Sequence, residues 1–435
     1  MTNLNKEILT NKKYVTNMFH MNVYFFIAEK ISQKSHRKGR LGKTSNLIAV
    51  TSVAISIAVM IIAICVADGF RTGIREKASG FSGDITLAPP GQDIVNHLYP
   101  VKREGYTDSV ARLKEVKNIS PVAYRSALLK TTDQIEGIMM KGVDGTYDLS
   151  FFEHSLTEGA LPRYRDSTSS DILMSRTLAS RLGYKTGDTV TAFFIGEELS
   201  ARLFKISGLY NAQLEGLDKK FIIADLRIIQ DVNGWSAEQI SGYEVSLKRS
   251  NRNRLAKCCR EIDELIGRHT PQEEDITMIP TTVEERFYIL FDWLRLLDIN
   301  VLILLVLMTA VAGFNMISGL LIFIFEKMSH IGVLKALGMS NSGVAKIFLY
   351  RSAVLMLKGM AIGNAVALLF AGIQWKYELI KLDSANYSIS YVPINIEPVT
   401  LILVNLLSFA IIMALLLLPC HMIGKVSPAK TITAK

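Results

Sequence analysis

Gly80-Phe81-Ser82-Gly83 comes nearest in this sequence to a serine nucleophile elbow, but it lacks the spacing that lifts the hydroxyl onto a strand-to-helix turn. The seven histidines are scattered and no His-Glu-x-x-His pair exists, so metal-assisted hydrolysis has no ligand set. Gly42-Lys43-Thr44 mimics the end of a phosphate loop, yet position 37 is Arg where the loop needs Gly, and no strand precedes it. With no other Walker-like segment in the chain, any ATP-driven work requires an ATPase on another polypeptide. Of the four cysteines, Cys65 and Cys420 sit in apolar runs and read as small hydrophobes. The vicinal Cys258 and Cys259 would close a strained ring, and nothing near them stands at metal-ligand spacing. From these residues no catalytic role and no metal or cofactor bound by this chain is expected, and a membrane enzyme ranks last among the readings.

The segments that hold them are of two kinds. Hydrophobic residues make up 49% of the 435 and charged residues 20%, too apolar for a soluble enzyme and too charged for a pure membrane bundle. Thr44 to Ala67 gives 24 residues without a charge, and Ile299 to Phe325 and Pro398 to Gly424 give 27 each. A helix needs about 20 to cross the hydrocarbon core, so these are three membrane spans. A fourth contains Lys358, read as a snorkelling cation near the interface, followed by 17 uncharged residues from Gly359 to Trp375. Within it Gly359, Gly363, Ala367 and Ala371 recur every four residues, a face open either to a neighbouring chain or to another span of the same chain.

The 49 Lys and Arg outnumber the 40 Asp and Glu, and they cluster beside the spans, which argues for a membrane orientation signal and against nucleic acid. Six positive residues between Asn22 and Ser45 face Glu29 alone, the 326–346 loop carries three positives and one acid, and the tail has Lys425, Lys430 and Lys435. Both termini are therefore expected in the cytoplasm. The first 20 residues are polar, no cleavable signal peptide precedes the first span, and Met21 is an alternative start.

The expected fold is an α-helical integral membrane protein with four transmembrane helices and a large α+β extracytoplasmic domain between helices 1 and 2. The expected boundaries are a cytoplasmic segment 1–45, helices at 46–69, 298–325, 342–375 and 398–423, the outer domain at 70–297, a cytoplasmic loop at 326–341, an outer loop at 376–397 and a tail at 424–435. In the outer domain Ile172–Met174 reads as a strand, Arg176–Leu182 as a helix stopped by Gly183, and Val190, Ala192 and Phe194 as one face of a second strand. Leu203–Leu209, Phe221–Ala224 and Tyr243–Leu247 read as further strands, Arg252–Arg268 as a helix, and Thr282–Asp298 as a helix continuing into the second span. In the loop after that span, Ile331, Leu334 and Leu337 share a helical face, Gly338 suits a C-cap, and Asn341 or Ser342 suits the next N-cap.

That loop, Glu326-Lys327-Met328-Ser329-His330-Ile331-Gly332-Val333-Leu334-Lys335-Ala336-Leu337-Gly338-Met339, resembles the signature of ABC transporter permeases of the MacB-like and FtsX-like family, with Met339 where Ala is usual. Phe26-Ile27-Ala28, Asp68-Gly69-Phe70 and Gly83-Asp84-Ile85 are most similar to the lipoprotein-releasing, Lol-type branch, where Asn would stand in place of Asp68. Val426-Ser427-Pro428-Ala429 resembles the family's terminal motif. The resemblance implies a porter part with an inserted subdomain at about 147–240, and a coupling helix at Glu326, Lys327, Ile331, Gly332, Leu334, Lys335, Leu337 and Gly338 that docks on a cytoplasmic ABC ATPase dimer using ATP and Mg. It also implies a bacterial inner-membrane location, a second permease copy or related permease, a lipoprotein substrate and a periplasmic carrier. Ile55, Val59 and Ile62 of the first span with Leu302, Val306 and Phe314 of the second are candidates for an acyl-chain shelter. A MacB-like efflux permease and a cell-division-type scaffold controlling a cell-wall hydrolase are the alternatives.

Overall fold

The computed structural model describes residues 40–89, 100–103, 105–131, 134–165, 167–196, 199–248, 254–269, 278–383 and 389–422. The motif at Phe26, the basic segment before Arg40 and the Val426–Ala429 motif lie outside the described residues. The chain forms two compact units: Met1–Gly69 with Leu296–Leu379 and Ile394–Lys435, and Phe70–Arg295 with Ile380–Pro393.

The first unit is helical. Its elements are α1 (Arg40–Ser82, shared with the second unit), α2 (Tyr288–Glu326, likewise shared), α3 (Met328–Ala336), α4 (Asn341–Tyr377), α5 (Pro398–Leu415) and α6 (Leu417–Met422). Among the described residues four helices are long and apolar enough to span a bilayer. The fourth is not one rod over 398–423: it breaks at Leu416, because Pro419 supplies no N–H and its ring collides with the carbonyl four residues back, at Leu415. The small-residue face of α4 is taken by the chain's own first helix. A Cβ on Gly359 would lie 2.9 Å from the Val50 carbonyl oxygen and one on Gly363 2.6 Å from that of Ala54, while Ala367 and Ala371 are buried. Only hydrogen fits at both glycines. Side-chain amides bind the helices further: Asn364 and Asn405 exchange hydrogen bonds of 2.8 and 3.0 Å, and Asn315 donates to Ser52 Oγ at 2.5 Å.

The second unit is built on a ten-stranded sheet of order β12-β1-β11-β3-β4-β9-β6-β8-β5, with β7 pairing β3 and β8. The strands are β1 (Ile85–Ala88), β3 (Val116–Lys130), β4 (Ile135–Val143), β5 (Leu156–Gly159), β6 (Asp171–Ser175), β7 (Thr189–Phe194), β8 (Ser200–Tyr210), β9 (Phe221–Asp225), β11 (Gly242–Leu247) and β12 (Ile279–Thr282); β2 (Val101–Lys102) and β10 (Gln239–Ile240) pair separately. Most neighbours are antiparallel, but β4–β9 and β6–β8 are parallel. One sheet thus runs through both the expected porter part and the 147–240 segment.

Strand alternation sends side chains to two cores. Ala123, Ala127, Ile138 and Met140 pack on one face with Ile172, Leu178 and Val190; Val122, Tyr124, Met139 and Val143 pack on the other with Phe81, Phe152 and Phe221. The expected helix Arg176–Leu182 is present, with Ser175 Oγ accepting from Leu178 N at the start and Gly183 left-handed (φ 77°) at the end. The helix expected to run unbroken from Thr282 is interrupted. A Thr282–Glu285 capping box starts a short helix Val283–Arg286, and Phe287 (φ −105°, ψ 42°) separates it from α2. The Arg286 guanidinium is bonded to Thr86 on β1 and Tyr124 on β3, so the sheet sets the direction of that turn.

Candidate functional site

The loop after α2 folds as the short helix α3. Its end is a full Schellman motif: Met339 N–H donates to the Leu334 carbonyl, Gly338 N–H donates to that of Lys335, and Gly338 is left-handed at φ 89°. Met339 then packs against the helical core, which gives the larger side chain in place of Ala a contact. Ser340, one residue ahead of the expected Asn341 or Ser342, caps α4 by accepting from Gly343 N at 3.2 Å. The cap is set by where the Schellman turn leaves the chain.

Ile331 and Gly332 are buried, Leu334 and Lys335 are half-buried, and Leu337 is 80% exposed. Steps of three residues along a helix drift by about 60° each, which carries Ile331 inward and Leu337 outward. Ser329, His330, Val333, Ala336 and Leu337 form the exposed face, at spacings of one, four, seven and eight. His330, Val333 and Ala336 were legible from the same spacing once Ile331 was turned inward. Glu326 and Lys327 pair at 3.0 Å where α2 ends.

Leu302, Val306 and Phe314 are 60, 63 and 69% exposed on α2, and Ile55 is exposed on α1. Val59 is half-buried, and Ile62 packs against the helical core. Of the four spans α2 is the least covered by its own chain. Lys358 is exposed on α4. Arg351, which no sequence pattern singled out, is buried on the same helix; it donates to Asn46 Oδ1 at 2.6 Å and stacks on the Phe323 ring. Its type alone, a cation inside a helical segment, was the available signal.

In the second unit the residues scanned for chemistry are structural. Ser82 is buried and its hydroxyl donates back to the Ala78 carbonyl. Cys258 and Cys259 are free thiols that burial pushes up to about 12 and about 11, far from the thiolate a nucleophile needs. Gly83-Asp84-Ile85 is a junction: Gly83 is left-handed (φ 72°) against Glu244 and Val245, and Asp84 joins β11 and the 283–286 helix through Leu247 N, Val245 O and Val283 N. Among the described residues no group of three His, Cys, Asp or Glu could hold a metal ion.

Four spans, a large α+β domain inserted after the first, and a capped helix after the second define a multi-pass membrane permease subunit. Residues 47–255 match the MacB-like periplasmic core domain and residues 302–428 the FtsX-like permease C-terminal domain. The chain belongs to this MacB-like and FtsX-like permease family. It is 21% identical over 432 residues to the lipoprotein-releasing system transmembrane protein LolE of Haemophilus influenzae, covering 95% of this chain and 100% of that one. It is 22% identical over 417 residues to the lipoprotein-releasing system transmembrane protein LolC of Neisseria meningitidis serogroup B, covering 89% and 93%. The extracellular domain of the noncanonic ABC-type transporter YknZ, a solved structure, aligns at 16% identity and a TM-score of 0.32, over 46% of this chain and 99% of that chain.

Proposed function

We propose that this chain is the permease subunit of an ATP-driven transporter that releases lipoproteins from the bacterial inner membrane for delivery to the outer membrane. The observation that carries the reading is the end-to-end similarity to lipoprotein-releasing permeases, which spans the outer domain and the membrane helices together. Both termini and α3 lie in the cytoplasm, as the Lys and Arg bias supports. There the Glu326–Gly338 segment docks on a separate ABC ATPase dimer, which binds the ATP and Mg. The Schellman cap holds α3 at a fixed angle to α4, and its face of His330, Val333 and Leu337 has the size and polarity of a helix seated in a partner's groove.

Energy is needed because moving each acyl CH₂ into water costs about 0.8 kcal/mol. An apolar shelter reduces that cost. The exposed row Leu302, Val306 and Phe314 on α2, facing the first span of a second permease copy or a related permease around Ile55, Val59 and Ile62, supplies one. The domain in the periplasm hands the released protein to a carrier.

Depletion of the chain followed by membrane fractionation of a labelled lipoprotein tests the reading. The lipoprotein is expected to stay in the inner membrane while soluble proteins are exported normally. An unchanged lipoprotein distribution with drug sensitivity would move the reading to efflux, and with failed cell separation to a scaffold for a cell-wall hydrolase.

A further inference from the structure

The domain unit buries a charged cluster that no transport step described above uses. The Lys141 ammonium and Glu244 carboxylate are 0 and 1% exposed and lie 2.6 Å apart. Lys141 spends its three donors on Glu244 Oε2, the Tyr147 hydroxyl at 2.7 Å and the Phe81 carbonyl oxygen at 2.7 Å. Glu244 also accepts from Tyr147 at 2.9 Å and, on Oε1, from Tyr124 at 2.6 Å. Arg286 Nη1 stands 3.8 Å from Oε1 and donates to Thr86 Oγ1 at 2.8 Å, and Nη2 donates to the Tyr124 hydroxyl at 3.3 Å.

Burying such a group is a poor way to stabilise a fold, because desolvation offsets most of the attraction and an apolar replacement of the same volume is commonly as stable. What the cluster does is fix positions. Phe81 is in the last turn of α1, where the helix dipole favours a cation, and Arg286 lies two residues before α2. Lys141, Tyr124, Thr86 and Glu244 come from four strands, β4, β3, β1 and β11, which lie together in the sheet. The end of α1, through the Phe81 carbonyl and Lys141, and the short helix that leads into α2, through Arg286, are thus both tied to the network around Glu244 on β11.

We propose that Glu244, held by Lys141 and Arg286, is the coupling point through which movement of α1 and α2 reaches the sheet of the outer domain. Glu244, Lys141 and Arg286 are positioning residues, and the proposal rests on the transporter reading above. Displacing the end of α1 breaks the hydrogen bond from Lys141 to Phe81, and displacing Arg286 breaks its hydrogen bonds to Thr86 and Tyr124 and opens its ion pair with Glu244, so the sheet follows the helices in place of letting them slide.

The test uses the full chain in complex with its ATPase in lipid nanodiscs, comparing hydrogen exchange with and without ATP and vanadate. Two variants are needed: Glu244→Gln, which keeps the shape and removes the charge, and Lys141→Met with Glu244→Leu, which replaces the pair by apolar groups. In the unmodified complex, nucleotide is expected to change exchange both in residues 70–82 of α1 and in β1 and β11. Variants that assemble and melt like the unmodified complex are expected to keep the α1 response, to lose at least fivefold of the β1 and β11 response, and to release a labelled lipoprotein correspondingly less. If a stably assembled apolar double variant transmits the response to β11 in full, the proposal is wrong and the transporter reading stands. If nucleotide changes nothing in the unmodified complex, the transporter reading falls and takes the proposal with it.

Discussion

Asp218 is 2% exposed, and burial pushes its carboxyl up to about 6 against the pull of the Leu214, Ala212 and Gln213 backbone N–H groups and of Lys77. A raised acid binds its proton more tightly when folded, so between its ordinary value of 3.8 and about 6 the native state holds more protons than the unfolded one. Stability from this group therefore rises as pH falls through 6 and levels off below about 4, by at most about 3 kcal/mol. Asp218→Asn should remove that slope. Thermal unfolding of the detergent-solubilised protein at several pH values between 4 and 7 checks it: an unmodified slope in the variant would mean the carboxyl is not the source. Residues of this kind are hard to read from sequence. Lys141 sits in the apolar stretch Ile-Met-Met-Lys-Gly-Val, where alternation says inward, but only the fold supplies Glu244 from 103 residues away. Lys358 and Arg351 pose the same difficulty in α4, because a run of uncharged residues is ended equally by an exposed and a buried cation. What separates them is that Arg351 meets Asn46 of α1.

Among the elements, α3 gives the sharpest contrast between face and core. Leu337 is 80% exposed and Ile331 is 1% exposed on one nine-residue helix and its cap. Leu337→Asp adds a charge at a largely exposed side chain, so the protein should insert and melt normally while recovering at least tenfold less ATPase on co-purification. Ile331→Asp buries a carboxylate in the helical core and should instead lower the yield of folded protein, since an unpaired buried charge costs several kcal/mol. Equal ATPase recovery with Leu337→Asp at normal yield would sink the docking assignment. The sequence locates this helix and its glycine stop because both are local signals, while its inward face depends on packing against a core contributed by α1, α2, α4 and α5. The same division applies elsewhere. Gly359 and Gly363 announce a close approach, but only contact with Val50 and Ala54 names the partner as α1. The breaks at Phe287 and Leu416 show both cases: Pro419 marks the second in the sequence, and the first arises from Arg286 bonding to the sheet.

At the scale of the whole chain, the division into spans and an inserted domain follows from uncharged run lengths, which depend on bilayer thickness and hardly on tertiary contacts. Strand order does not follow that way, since β1 and β12 pair across nearly two hundred residues and β3 joins β7 as well as β4. The side of α2 that carries Leu302, Val306 and Phe314 lies outside the chain's own packing. An apolar face exposed to lipid and one that lines a shelter for acyl chains have the same composition, so a charge placed there separates them. Val306 is 63% exposed, and Val306→Asp at mid-helix carries an insertion cost of about 2.5–3.5 kcal/mol, tolerable within a span this apolar. Ala312→Asp, at a fully buried position, is the control for disrupted packing and should reduce the assembled complex itself. If acyl chains pass along α2, Val306→Asp should assemble, keep its ATPase, and still strand labelled lipoproteins in the inner membrane as depletion does. A Val306→Asp complex that assembles and clears lipoproteins at the unmodified rate would assign this face to the bilayer and require the shelter to be sought on another helix.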